Sequence, residues 1–113
     1  MSAVVYEVNL DVDASIAVEF RAWLDGHVRE ILALPGFTGA QVFEVLDPPA
    51  CAGRMALCVH YALVDAAALE AYLREHAPRL RGDGQARFGG RFNSSRRVLR
   101  GLHGQRADAT AGA

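Results

Sequence analysis

The chain has 113 residues, about half of them hydrophobic, and a formal net charge of −1. This length predicts one domain, and the balanced charge argues against a nucleic-acid partner. The apolar runs are too short to cross a bilayer, so we expect no membrane partner. The first residues lack the basic segment of a secretory signal, which predicts a cytoplasmic protein. Cys51 and Cys58 form no CxxC pair, and a cytoplasmic setting favours free thiols.

The first half of the chain predicts two strands around a helix. Apolar and polar residues alternate over residues 3–11, which is typical of a strand. Asp13 is a suitable N-cap for a helix that continues to about Leu34, where a Pro-Gly pair follows. Residues 37–47 predict a second strand, and the proline-containing segment 47–53 predicts a loop.

The third predicted strand, residues 55–64, is the most informative segment. An antiparallel strand with one wet face normally alternates apolar and polar residues, but this one is largely apolar on both faces. The chain offers helices for one side only, so we expect a second copy of the protein on the other side. Alternation places Leu57, Val59, Tyr61 and Leu63 on one face and Ala56, Cys58, His60 and Ala62 on the other.

The second half predicts further helices and a last strand. Asp65 can cap a helix, and Pro78 suits the first turn of a further helical segment that the glycines at 89 and 90 would end. Residues 94–102 predict a short strand whose arginines suit the edge of a sheet.

This order of elements predicts an α+β, ferredoxin-like βαββαβ fold. Right-handed crossovers would place the helices on one face of a four-stranded antiparallel sheet. We expect a single domain over residues 1–103 and a disordered tail over residues 104–113, which are small and polar. The bare sheet face, which we expect to be rich in Val, Leu, Phe and Tyr, would be shielded by a symmetry-related copy.

Several segments resemble an uncharacterised bacterial family, a domain of unknown function in the superfamily of dimeric α+β barrels that includes antibiotic-biosynthesis-monooxygenase-like proteins. These segments are VYEVNL, LPGFTGAQVFEV, CVHYAL and YLREHAPRLRGDGQARFGGRF. The resemblance implies a homodimer with facing sheets and a small-molecule cavity between each sheet and its own helices. It transfers no catalytic residue, because the close family has none assigned, and we predict no cofactor. The superfamily includes cofactor-free oxygenases, isomerases, haem-degrading enzymes and proteins without known activity, so the fold does not choose among these functions.

Three histidines, His27, His60 and His76, occupy positions where a core would place hydrophobic residues. A histidine there can act as a general acid or base, or it can be a hydrogen-bonded packing residue. His27 and His76 could approach a common cavity if both helices cover the same face. No HxxxH, HxH or HExxH spacing is present, so we predict no metal site.

Glu7 and Asn9 share a face of the first strand, which neighbours the third strand in this topology. Glu7 could therefore lie near His60, where it would either tune the imidazole or form a polar contact inside a dimer. Among aromatic residues, Trp23 and Tyr72 are candidates to line a ligand pocket, although core packing would also account for them.

The arginines are unevenly distributed. Eight of the twelve lie in residues 76–113, whereas eleven of the thirteen acidic residues lie in residues 1–75. Arg96 and Arg97 could hold an anionic ligand through the guanidinium fork. The basic half of the chain could equally pair with the acidic half, within or between subunits.

These observations leave three functional hypotheses. The first is a homodimeric protein that binds a small molecule. The second is a cofactor-free enzyme, such as a monooxygenase or isomerase, with His27 or His76 as general base. The third is a purely structural or interaction dimer with a filled core.

Overall fold

The computed structural model describes residues 3–107 and shows the predicted ferredoxin-like fold. Four strands form one antiparallel sheet in the order β2-β3-β1-β4, so the arginine-rich last strand is an edge strand, as predicted. The elements are β1 (Val4–Asp13), α1 (Ala17–Leu32), β2 (Phe37–Glu44), β3 (Arg54–Leu63), α2 (Ala66–Glu75), α3 (Ala77–Phe88) and β4 (Phe92–Arg100), with 3-10 turns at Ala14–Ile16 and Gly89–Arg91.

Asp13 does not cap the long helix directly. The pairing of β1 with β3 continues to Asp13, opposite Arg54, so the chain is still extended there. The Asp13 carboxylate accepts from the backbone N–H and the hydroxyl of Ser15, which caps the short 3-10 turn instead. Asp65 does cap α2, accepting from the Ala68 N–H at 2.9 Å.

The hydrophobic core lies between one face of the sheet and the three helices. Strand register brings Tyr6 opposite Tyr61, and both side chains are buried on this face. Phe20 of α1 and Leu80 of α3 are almost completely buried against it. Burial of such side chains contributes roughly 1.5–3 kcal/mol each, which makes this layer the main source of stability.

The opposite face of the sheet is covered by no helix in the described residues, and its composition differs from our expectation. The tyrosines of the strands point to the helix side, because the period-2 alternation of β1 and β3 puts them there. The bare face instead combines a few larger apolar residues with small ones and a central carboxylate. Its members include Val5, Glu7, Phe43, Ala56, Cys58, His60, Ala62, Arg97 and Leu99.

The predicted tail can be described only in part. Residues 104–107 are exposed and belong to neither a helix nor a strand, and residues 108–113 lie outside the described residues. The disordered tail and the domain boundary at 103 therefore stay predictions. Among residues 3–107, no helix is long and apolar enough to cross a membrane.

Candidate ligand cavity and sheet-face cluster

A cavity of about 270 Å³ lies between the sheet and the helices. Its floor is formed by buried side chains of β1, β3 and the helices, including Leu24, Val59 and Leu80. Exposed residues of α3 and β4 complete the lining, among them Gln85 and Ser94. The cavity therefore has an apolar interior and a polar mouth between α3 and the edge strand.

Aromatic rings form much of the cavity wall. The imidazole of His27 stacks on the indole of Trp23, with ring centroids 4.4 Å apart and an interplanar angle of 22°. Across the cavity, the ring of Tyr6 meets the ring of Tyr72 edge-on, with ring centroids 6.0 Å apart. The ring centroids of Tyr6 and Tyr61 are 6.2 Å apart. Rings in this arrangement offer flat apolar surfaces with polar groups at their rims, which suits a small planar ligand.

Burial shifts the pKa values of three groups in this wall, and all three are uncharged at pH 7. It lowers the pKa of His27, so the imidazole is unprotonated and able to accept a proton. It raises the pKa of Tyr72 to about 12 and also raises the pKa of Tyr61, so both phenols keep their protons. These three groups thus present one weak base and two neutral hydroxyl groups to the cavity.

Two arginines stand at the mouth of the cavity. Arg81 of α3 donates to the Tyr6 hydroxyl at 2.8 Å, and Arg96 of β4 donates to the Ser94 hydroxyl at 3.2 Å. Neither forms a salt bridge with any acidic residue in the described part of the chain.

Other arginines of the basic half do pair with the acidic half, as one of the two interpretations of the charge distribution predicts. The three such pairs are Arg79–Glu30 at 2.7 Å, Arg91–Asp13 at 3.3 Å and Arg97–Glu7 at 2.6 Å.

The bare sheet face carries a second polar cluster, centred on Glu7, whose side chain is only 6% exposed. Its carboxylate accepts two hydrogen bonds from Arg97, at 2.6 and 3.2 Å, and one from Asn9 at 3.0 Å. His60 Nε2 donates to it at 2.9 Å, as the neighbouring strands suggested. These bonds, chiefly those from Arg97, lower the pKa of Glu7 to about 2.

The same cluster contains three groups that could ligate a metal. Glu7, Cys58 and His60 bring one ligand atom each within 4.8 Å of one another. However, the carboxylate is already neutralised by a bidentate arginine, and burial raises the pKa of the Cys58 thiol, which keeps it protonated. A protonated thiol and a carboxylate already paired with Arg97 are poor metal ligands, and the absence of a metal site stays a prediction.

The candidate residues therefore divide between two places. The cavity contains His27, Trp23, Tyr72 and Arg96, whereas the bare face holds His60, Glu7, Asn9 and Arg97. His76 is half-buried where α2 meets α3 and does not line the cavity.

Sequence reasoning did not identify Gln85 as a site residue, and it assigned Tyr6 to the core. It included Arg81 only among the seven arginines of the basic end of the chain that could line a site for an anion, and it did not single it out. The signal for Arg81 and Gln85 was present, because residues 81, 84 and 85 share one face of a helix at i, i+3, i+4 spacing. Gly84 lies between the two polar residues, and its lack of a side chain admits the Trp23 ring.

Residues 3–102 match a family described as "Domain of unknown function (DUF4286)", which confirms the predicted family resemblance. No curated protein matches the sequence significantly.

The fold is similar to that of several solved structures. One is NE2512, a protein of unknown function from Nitrosomonas europaea, with a TM-score of 0.67 and 15% identity over 96% of this chain and 98% of that chain. Another is a variant of SnoaB, a cofactor-independent oxygenase from Streptomyces nogalater, with a TM-score of 0.65 and 14% identity over 89% and 95%. A third is a dimeric ferredoxin-like protein from an uncultured marine organism, with a TM-score of 0.60 and 12% identity over 93% and 100%. At these identities the similarity shows a common fold.

Proposed function

The chain belongs to the DUF4286 family, and we propose that it is a homodimeric, cytoplasmic small-molecule-binding protein whose ligand occupies the cavity between the sheet and its helices. The observation that carries this proposal is the space of about 270 Å³ between the sheet and its helices. Protein cores are close-packed, so an unfilled aromatic-lined space with a polar mouth argues against a purely structural dimer. The volume lies just below the usual range of ligand pockets, which favours a ligand of one or two rings.

The only tryptophan of the chain reports on this cavity, because Trp23 lies in its wall. We expect one- and two-ring aromatic compounds to change Trp23 fluorescence saturably, with excitation at a wavelength where the compounds do not absorb. A Val8→Phe variant, which adds volume inside the cavity, should lose the response. Val64→Phe adds the same volume at an exposed site at the end of β3 and should keep it. An unresponsive wild-type protein, or an undiminished response in Val8→Phe, would contradict the proposal.

The dimer is supported by the bare sheet face. Small residues such as Ala62 and Cys58 allow close approach of a second sheet, and the Glu7–Arg97 pair balances the central charge within each protomer. Two such faces could meet without opposing like charges. The structurally similar marine protein is described as dimeric, which agrees with this arrangement.

Sedimentation equilibrium at micromolar concentration tests the dimer. We expect the wild-type chain to be dimeric and Ala62→Asp, which buries a charge in the proposed interface, to be monomeric or insoluble. Val98→Asp introduces the same charge at an exposed site on the other face and should stay dimeric. A dimeric, stable Ala62→Asp protein would mean that the interface lies elsewhere.

A specific observation favours a second function, that of a cofactor-free enzyme. His27 is a neutral imidazole in the cavity wall, so it could take a proton from an acidic O–H or C–H group of a bound substrate. Similarity of fold to a cofactor-independent oxygenase makes oxygen uptake with dihydroxyaromatic compounds a reasonable assay. We expect any such activity to be lost in His27→Ala and kept in His76→Ala, which removes a histidine outside the cavity. Activity that survives both substitutions would exclude His27 and His76 as the base.

A further inference from the structure

The charged residues of the cavity lining are all positive. Two arginines, Arg81 and Arg96, belong to it, and no aspartate or glutamate does. The two guanidinium groups come from different elements, α3 and β4. Three arginines close to them in sequence, at positions 79, 91 and 97, are paired with carboxylates. Two cations thus share one cavity without a neutralising partner in residues 3–107.

From this arrangement we infer that the ligand is a small organic anion, a carboxylate that carries an aromatic ring, with its ring among the cavity aromatics and its carboxylate between Arg81 and Arg96. This inference rests on the proposed binding function and specifies its ligand. A cationic ligand would meet two like charges, and a neutral one would leave both guanidinium groups without a counter-charge.

Hydrogen bonds inside the protein orient the donors of this anion site. Arg81 donates one hydrogen bond to the Tyr6 oxygen, and Arg96 donates one to the Ser94 hydroxyl. A guanidinium has five N–H groups in a planar fork, so each arginine keeps donors for a carboxylate. The Tyr6 hydroxyl accepts from Arg81, which leaves its own proton free to donate to the same anion.

The interior of the cavity suits the ring of such a ligand. The faces of Trp23 and Tyr72 are apolar, and the Tyr72 hydroxyl is uncharged at pH 7. Because the lining contains no aspartate or glutamate, no carboxylate of the cavity competes for the arginines. The ring would be desolvated in the interior while the carboxylate stays at the mouth, where water still reaches it. This position avoids the large cost of burying a charge completely.

A matched pair of probes tests the inference, namely 3-phenylpropanoate and its uncharged analogue 3-phenylpropanamide. Both have one ring and the same number of heavy atoms, and they differ in charge. We expect the wild-type protein to bind the acid at least tenfold more tightly than the amide, measured by Trp23 fluorescence and by calorimetry. Raising the salt concentration should reduce this preference, because the arginines are exposed to solvent.

Substitution of the arginines tests whether Arg81 and Arg96 cause the preference for the acid over the amide. Arg81→Gln and Arg96→Gln should each reduce the acid-to-amide ratio several-fold, and the double variant should bring it near one. Arg81→Lys keeps the charge and should retain part of the preference for the acid. Arg100→Gln is the control, because Arg100 is exposed on β4 and does not line the cavity. Circular dichroism spectra of all variants establish that each one is folded.

The outcomes are distinguishable. Equal binding of acid and amide to the wild-type protein would overturn the anion inference and leave the binding cavity intact. A preference for the acid that persists in the folded double variant would overturn the assignment to Arg81 and Arg96. Absence of saturable binding for both probes would overturn the cavity as a binding site, and the anion inference with it.

Discussion

Replacing Glu7 with glutamine tests the cluster at the centre of the bare sheet face. The substitution keeps the size of the side chain and removes its charge. In the native protein the carboxylate accepts two bonds from Arg97, one from Asn9 and one from His60. The amide group of glutamine has one acceptor oxygen, and its NH₂ group would oppose a donor. At least two of the four bonds should therefore be lost.

The magnitude follows from the burial of the partners. A hydrogen bond to a charged group contributes about 1.5–3 kcal/mol when it is buried. The Arg97 side chain is 68% exposed, so its share is nearer that of a surface pair, roughly 1 kcal/mol or less. The bonds from Asn9 and His60 are better shielded. We expect Glu7→Gln to lower the free energy of unfolding by about 2–3 kcal/mol at pH 7.

The effect should depend on pH with a defined sign. The hydrogen bonds, chiefly from Arg97, lower the pKa of Glu7 from its ordinary value of 4.5 to about 2 in the folded protein. A lowered pKa means that this stabilisation is fully present above pH 4.5 and is lost as the pH falls towards 2. The gap between the wild-type and variant proteins should therefore narrow across this interval, because the carboxyl of the unfolded chain takes up a proton below pH 4.5 whereas the native carboxyl stays charged until the pH approaches 2.

Urea unfolding followed by far-UV circular dichroism measures this gap. The protein concentration must be constant, because the stability of a dimer depends on it. Glu30→Gln is the matched control, since Glu30 forms an exposed pair with Arg79 and should cost about 1 kcal/mol or less. Two results would refute the reasoning: a loss in Glu7→Gln no larger than in Glu30→Gln, or a gap at pH 2.5 as large as at pH 7.

Two glycines allow further tests against one control, Gly82→Ala, whose added methyl group would meet no atom within 4 Å. Gly36 has a φ of +88°, and a Cβ there would lie 2.5 Å from the Cβ of Ala68 in α2, so Gly36→Ala should lower the free energy of unfolding by about 2–4 kcal/mol in urea denaturation. A loss below 1 kcal/mol would show that α2 can move away at little cost. A Cβ on Gly84 would lie 3.0 Å from the Trp23 ring, so Gly84→Ala should shift Trp23 emission, whereas Gly82→Ala should leave emission unchanged and raise stability by up to about 1 kcal/mol. Identical emission from the two variants would place the indole farther from α3 than described.

Much of the fold was accessible from the sequence because local patterns determine it. Alternation in β1 and β3 predicted which side chains share a face, and the order of the elements predicted the strand neighbours. Together these suggested the contact of Glu7 with His60, which the register confirms. The start of the long helix was predicted less well, since the extent of β1 depends on pairing with β3, which is not a local property.

The cavity was less accessible, because its walls come from elements far apart in the chain. His27 and His76 looked equivalent in sequence, as each lies near the end of a helix with a similar apolar stripe. Only the packing of α3 beside α1 brings His27 into the wall and leaves His76 at a helix junction. The pairing of Arg79 with Glu30 likewise follows from how α3 is oriented, as does the lack of an acidic partner for Arg81 among residues 3–107.

The cavity and the Glu7 cluster can act independently because they lie on opposite faces of the sheet. Tyr6 and Glu7 are adjacent in sequence, yet Tyr6 belongs to the cavity and Glu7 to the bare face. The cavity opens between α3 and the edge strand, so a partner on the bare face would leave its mouth open. The proposed dimer and the proposed ligand therefore do not compete for the same surface. Loss of the dimer in Ala62→Asp should accordingly leave the acid-to-amide preference unchanged, provided the monomer is folded, and a lost preference would mean that the partner subunit shapes the cavity.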